Sequence, residues 1–281
     1  MSRPLHIACL QTQPKATMAQ AIDEAVPNVE AAARAGAQMI FLPEYCGGLR
    51  TEGARVAAPS APEQDHPMLE ALRSVAARSR VWLSVGSVAV DGPDGKIFNR
   101  GYMLNDRGET VGSYDKLHMF DIALSETEVY RESDTVNPGG VAQVYDTPFG
   151  RVGHTICYDL RFPHLFRDLA QAGAEIICCP AAFTKKTGEA HWHVLNRARA
   201  IENTVFMVSA CAVGAIPGGG ESYGHSLVVG PWGDVLADGS DIPGVVHTQI
   251  DLEQVAATQK RIPSITHDRD YRLIELKKDV A

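Results

Sequence analysis

Apolar positions recur along the chain in two rhythms. Short apolar runs at residues 6–11, 38–42, 81–90, 96–105, 142–146, 151–156, 175–179, 204–211, 226–230 and 245–251 predict β-strands, and a further strand reaches Tyr114. Between them, residues 17–35 carry Ile22, Val26 and Val29 at helical spacing and stop at Gly36, and residues 67–80, 163–172 and 189–202 also read as helices. Turn residues punctuate the pattern at 91–95 (Asp-Gly-Pro-Asp-Gly), 106–108 (Asp-Arg-Gly) and 147–150 (Thr-Pro-Phe-Gly). Residues 116–138 follow neither rhythm and predict a long loop, a feature that in a compact domain is more often functional than ornamental. Helices alternate with both hairpins and crossovers, so the expected fold is α/β with mixed rather than all-parallel sheets.

With 281 residues, 45% of them hydrophobic, the chain can bury a large core, and it is expected to form a single domain, 1–281. The formal charge of -8 is scattered, and no basic block is available to neutralise a phosphate backbone, so nucleic acid is not an expected partner. The N-terminus lacks the apolar stretch of a signal peptide and no run is long enough to span a bilayer, which predicts a cytoplasmic protein with no membrane partner. Six cysteines in a chain of this length do not make a disulfide framework, and most lie in apolar strand-like runs. Free thiols follow. The Gly218-Gly219-Gly220 cluster lacks both the lysine of a P-loop and a strand-to-helix setting, and reads as a plain flexible loop.

One thiol stands apart. Cys157 ends the run 151–156 just ahead of a helix, where backbone donors can lower a thiol's pKa below its ordinary ~8.5. Glu44 follows the apolar run 39–42 and Pro43, at the strand's carboxyl edge where α/β proteins build ligand sites. Lys116 likewise ends a strand and opens the long loop. A Cys–His pair made from Cys157 with His154 or His118 lacks any surrounding motif of that class, and His154 is expected to point into packing. His191 and His193 invite a zinc reading, but residues two apart on a helix face different directions, so no metal site is expected there.

The segments around these residues, F-L-P-E-Y at 41–45, Y-D-K-L-H at 114–118 and G-H-T-I-C-Y-D-L-R-F-P at 153–163, resemble the nitrilase-like (carbon-nitrogen hydrolase) superfamily. So do H-W-H-V-L-N-R-A-R-A-I-E-N at 191–203, Gly224-His225-Ser226 and Pro231-Trp232-Gly233, and the likeness covers nearly the whole chain. Within the superfamily the omega-amidase and deaminated glutathione amidase branch is nearest. The resemblance implies a four-layer α-β-β-α sandwich, a Glu44–Lys116–Cys157 triad and no metal or organic cofactor. It also implies a homodimer, or a larger homo-oligomer built from dimers, paired through the helices after Cys157 and before Thr204, with about residues 252–281 packing on the partner.

The superfamily places a second glutamate in the loop after the lysine. Glu126, Glu128 and Glu132 compete for that role, and the position of Glu132 before Asn137-Pro138-Gly139 assigns it there. The expected reaction is hydrolysis of a small carboxylate-bearing amide through a thioester on Cys157, with release of ammonia or an amine. Glu44 serves as proton carrier, and Lys116 with the Tyr158 backbone N–H as oxyanion donors. Substrate contacts are expected at Arg161, Phe183 and His191; for Arg161, a guanidinium just ahead of a helix can hold a carboxylate bidentately, and pairing with Asp159 or with a carboxylate at the dimer interface is its structural alternative. A nitrilase or N-carbamoyl amidase with the same triad, and a catalytically silent binding or scaffold protein, remain as alternatives.

Overall fold

A computed structural model describes residues 2–126 and 128–275. The run 4–11 shows how its layers arise. Leu5, Ile7 and Cys9 on one face of strand Pro4–Gln11 join one apolar cluster, whereas Ala8 and Leu10 on the other face join a second. Successive side chains of a strand point to opposite faces, so this strand is covered on both. The same division recurs in the other half of the chain. Ile176 and Cys178 share the cluster of Ile7 and Cys9, while Ile177 and Cys179 pack in a third cluster with Phe166, Leu169 and Trp192. Two sheets therefore meet face to face across Ile7, Phe41, Met103, Val152, Ile176 and Val208, with helices outside each, in an α-β-β-α sandwich.

The first sheet runs in the order Val136–Asn137, Ile97–Leu104, Trp82–Asp91, Met39–Phe41, Pro4–Gln11, Gly244–Asp251, with Thr110–Asp115 also paired to Ile97–Leu104. Met39–Phe41 is parallel to both its neighbours, because α1 (Met18–Arg34) and α2 (Pro67–Ser79) supply the crossovers. The second sheet runs Val144–Asp146, Arg151–His154, Ile176–Cys178, Phe206–Ser209, Leu227–Val229, Val235–Asp238. Its parallel core is linked by α3 (Pro163–Gln171) and α4 (Lys185–Asn203). Antiparallel strands flank both cores, as the mixture of hairpins and crossovers predicts.

Several elements differ from the sequence reading. The fully buried stripe of α1 is Ala21, Ala25, Val29 and Ala32, with Ile22 and Val26 at its margin, so small side chains bring the helix close to the sheet. Helix α4 begins four residues before the expected start. Gly188 lies inside the helix under Tyr223, where a Cβ would come within 2.3 Å of the tyrosine ring. The expected loop at 116–138 holds a hairpin, Asp121–Ala123 with Val129–Arg131, and a 3-10 turn, Glu132–Asp134. Three-residue strands are too short to show a period.

The Gly218–Gly220 stretch links two short paired strands, Val213–Ala215 and Glu221–Tyr223. After Asp251 the chain forms α5 (Glu253–Arg261), then returns to its own α3. Ile265 joins the core beside Phe166, and Arg167 and Gln171 both bond Asp268. Residues 276–281 of the expected dimer-packing extension lie outside the described residues. No helix among the described residues is long and apolar enough to cross a membrane.

Candidate active site

Three carboxyl-edge positions converge between the sheets. Glu44 follows strand Met39–Phe41, Lys116 follows Thr110–Asp115, and Cys157 follows Arg151–His154. All are nearly sealed from solvent: Glu44 is 4% exposed, Lys116 2% and Cys157 7%. Glu132, from the 3-10 turn, is 3% exposed and joins them. Lys116 Nζ donates to Glu44 Oε1 at 3.0 Å and to Glu132 Oε1 and Oε2 at 3.0 and 2.9 Å. Burial lowers the lysine pKa, yet the Glu132 and Glu44 carboxylates more than offset it and hold the ammonium charged.

The remaining lone pairs of the carboxylates are also used. Glu44 Oε2 accepts from the Ala182 N–H at 2.8 Å, and Oε1 from Asn99 Nδ2 at 2.8 Å. Glu132 Oε2 accepts from the Phe120 N–H at 2.7 Å, and Oε1 from Tyr45 Oη at 3.3 Å. Buried charges persist only when paired and hydrogen-bonded in this way. Of the three competing loop glutamates, the structure brings only Glu132 to the lysine. Glu128 lies farther out against Lys186.

Cys157 has φ +48, a left-handed conformation that strains a non-glycine residue. Two features hold the turn. The Cys157 N–H donates to the Pro180 carbonyl at 2.8 Å, and the fully buried Asp159 accepts from the Ile156 N–H at 2.8 Å and Tyr114 Oη at 2.6 Å. His118 adds its N–H and ring nitrogen to the same aspartate. His118 is thereby occupied away from the thiol, and His154 packs on Tyr114 with Nε2 at the Gly86 carbonyl. Tyr158 follows Cys157 in the first turn, where amide N–H groups lack intrahelical acceptors and can face an incoming oxyanion.

The thiol itself departs from expectation. Burial, then the Glu44 charge and a hydrogen bond with Glu44, raise its pKa well above the ordinary value, with Lys116 opposing. The strand-to-helix position alone predicts a lowered value; an adjacent carboxylate in a closed site reverses the sign. At neutral pH the Cys157 side chain is therefore a thiol beside the Glu44 carboxylate.

A narrow cavity of about 70 Å³ opens over Cys157, walled by Phe120, Tyr130, Tyr158, Phe183 and Ile216. Phe183 therefore lines it. Arg161 and His191 stand behind that wall: Arg161 Nη2 donates to His191 Nδ1 at 3.2 Å, and the guanidinium stacks over Tyr158 and Phe183. Asp159 is not its partner. The guanidinium that lines the cavity is Arg55, bonded to Asp134 at 3.2 Å. Sequence reasoning missed Arg55, Tyr45, Asn99 and Asp159. An asparagine inside an apolar strand was a usable signal for Asn99; nothing local marked Arg55.

Residues 6–260 match the carbon-nitrogen hydrolase family. The chain belongs to that family. Carbon-nitrogen hydrolases named deaminated glutathione amidase are among its relatives: one from Yersinia enterocolitica is 39% identical, covering 83% of this chain and 82% of its own, and one from Mus musculus is 40% identical, covering 86% and 76%. Among solved structures, the C. elegans NitFhit protein superposes with a TM-score of 0.86 at 33% identity, over 95% of this chain and 66% of that one. Nit3 of Saccharomyces cerevisiae, a nitrilase superfamily member, gives 0.82 at 25% identity, over 93% and 95%. The chain is thus a hydrolase of carbon-nitrogen bonds other than peptide bonds, and its fold is that of the superfamily.

Proposed function

We propose that this carbon-nitrogen hydrolase is an amidase for a small amide bearing a carboxylate, with Glu44, Lys116 and Cys157 as its triad and Glu132 as the anchor of Lys116. The observation that carries the mechanism is the closed Glu44–Lys116–Glu132 network beside Cys157, whose thiol pKa burial and the Glu44 charge push up. Glu44 takes the thiol proton as sulfur attacks the carbonyl carbon. Lys116 Nζ and the Tyr158 N–H receive the charge that develops on oxygen; one such donor typically contributes ~3 kcal/mol. The proton on Glu44 passes to the departing nitrogen, the C–N bond breaks and a thioester remains. Glu44 then deprotonates water, which resolves the thioester and regenerates the thiol.

The substrate class rests on the relatives' names and on the cavity. Its lining combines aromatic and apolar side chains with Glu44, Lys116 and Glu132, and Arg55, paired with Asp134 and open to solvent, is the arginine among the lining residues. Arg161, which the sequence nominated for the carboxylate, acts in this reading through the Tyr158 and Phe183 rings and His191. Val194 and Ile201, exposed one heptad apart on α4, favour a homodimer through the α3–α4 face, and Tyr271, Leu273 and Ile274 are further exposed apolar side chains near the end of the described chain. Six unpaired cysteines suit a reducing compartment such as the cytoplasm.

The test is a screen for released ammonia or amine over α-ketoglutaramate, deaminated glutathione, neutral amides of equal length, nitriles and N-carbamoyl amino acids. Carboxylate-bearing amides should lead. Faster turnover of a nitrile or a carbamoyl amino acid would refute the assignment. Arg55→Leu should lower the preference for charged over neutral amides about tenfold, whereas Arg161→Lys should slow both alike. The opposite pattern would return the carboxylate to Arg161.

A further inference from the structure

Away from the catalytic cavity, three side chains from three elements meet at the surface. His193 lies on α4, His225 in the turn before strand Leu227–Val229, and Asp238 at the end of strand Val235–Asp238. Asp238 Oδ2 accepts from His193 Nε2 at 2.9 Å, and Oδ1 from His225 Nδ1 at 2.8 Å. One ligand-type atom from each of the three lies within 4.8 Å of the others. We propose that His193, His225 and Asp238 form a binding site for a divalent transition-metal ion of the zinc type, outside the active site.

The donor set selects the ion. Two imidazole nitrogens and one carboxylate suit zinc, cobalt or nickel, whereas calcium and magnesium favour oxygen ligands throughout. Ligand atoms around a tetrahedral zinc at ~2.1 Å lie roughly 3.4 Å apart, so the present spread closes by little more than 1 Å. His193 and Asp238 are a third exposed and His225 a quarter, which leaves that closure to side-chain rotation and a further position to water. Metal binding at His193 Nε2 and His225 Nδ1 takes the place of the hydrogen bonds to Asp238, and each neutral imidazole then carries its one proton on the opposite nitrogen, His193 Nδ1 and His225 Nε2, by a change of tautomer.

The surroundings already restrain the ligands. The Ser240 N–H donates to Asp238 Oδ1 at 2.8 Å, the Tyr223 ring stacks on His225 at 4.4 Å, and Trp192 Nε1 donates to the His225 carbonyl at 2.8 Å. His225 itself holds a left-handed φ of +53. Partners fixed around the ligands in this way orient metal sites. The helical spacing rightly separated His191 from His193, since one faces Arg161 and the other Asp238. The partners of His193 come from a distant hairpin instead, which no spacing reveals. A metal here would tie α4 to that hairpin. Trp192 packs on Phe183 at 4.9 Å, so the clasp would buttress the cavity wall from outside.

The test uses full-length protein with Cys157 alkylated, so that the catalytic thiol cannot ligate, stripped with chelator and titrated calorimetrically with zinc chloride. One equivalent should bind with micromolar or tighter affinity, and saturation should raise the melting temperature by roughly 5 °C. His193→Gln and Asp238→Asn should each weaken binding at least tenfold while leaving the circular dichroism unchanged. Cobalt should give a visible ligand-field band without a sulfur charge-transfer band. Affinity unaffected by either substitution, a sulfur-to-cobalt band, or no binding below millimolar zinc would overturn the site and leave a His–Asp–His hydrogen-bond chain.

Discussion

The two sheets contribute to the active site in different ways. The first sheet and its loops deliver Glu44, Asn99, Lys116 and Glu132, charged and polar groups that satisfy one another's hydrogen bonds in a closed network. The second delivers a single thiol, the proposed nucleophile Cys157, on a left-handed backbone turn tied down by Asp159. Charges sealed from water must be mutually satisfied, so the first half is built for electrostatic balance. A nucleophile must be aimed, so the second is built for geometry. The Ala182 N–H on Glu44 joins the two.

Breaking the first half should cost both activity and stability. Lys116→Met leaves two buried carboxylates facing each other and should lower turnover by at least ~10³-fold and stability by about 3–5 kcal/mol, measured by single-turnover kinetics and urea unfolding. Intact stability would mean that the network is not closed as described. Breaking the second half should separate these effects. Asp159→Asn keeps the volume but turns an acceptor of several donors into a partial donor, and should slow turnover by about 10²-fold for ~2 kcal/mol of stability. Alkylation of Cys157 should slow in parallel, because the turn loses its aim.

The interface between the halves offers the smallest effect. Burial of His154 lowers its pKa from 6.5 to about 4. As pH falls, the unfolded chain takes up this proton first, so stability is full above about 6.5 and is lost progressively toward 4. Between pH 7 and pH 5 the loss should be about 2 kcal/mol. In His154→Gln the urea midpoint should depend less on pH over that window; an unchanged dependence would assign the acid sensitivity elsewhere.

The strands and the crossovers were legible because runs such as Ile7–Leu10, Met39–Leu42 and Ile176–Cys179 are short, apolar and separated by helical spacing, whereas the four-layer stacking came from the resemblance and not from the pattern. Cys157, Glu44 and Lys116 were legible as strand ends with distinctive neighbours. Glu132 needed the resemblance to single it out, since spacing alone left three glutamates. The short strands at 121–123 and 129–131 and helix α5 were not legible, because their stability comes from partners remote in sequence. The thiol's raised pKa was hidden for the same reason: Glu44 is 113 residues from Cys157 in the chain, and only the fold places that charge beside the sulfur.

Glu44 is proposed as the base for a thiol that burial and the Glu44 charge keep protonated, and Glu44→Gln separates this role from a simple structural one. With the carboxylate charge removed and Lys116 retained, the thiolate fraction of Cys157 should rise. Iodoacetamide labelling of Cys157 at neutral pH should then be as fast as in the parent or faster, while amide turnover falls by at least ~10³-fold in a folded protein. Turnover that survives the substitution, or labelling that slows in step with turnover while the fold is retained, would contradict it.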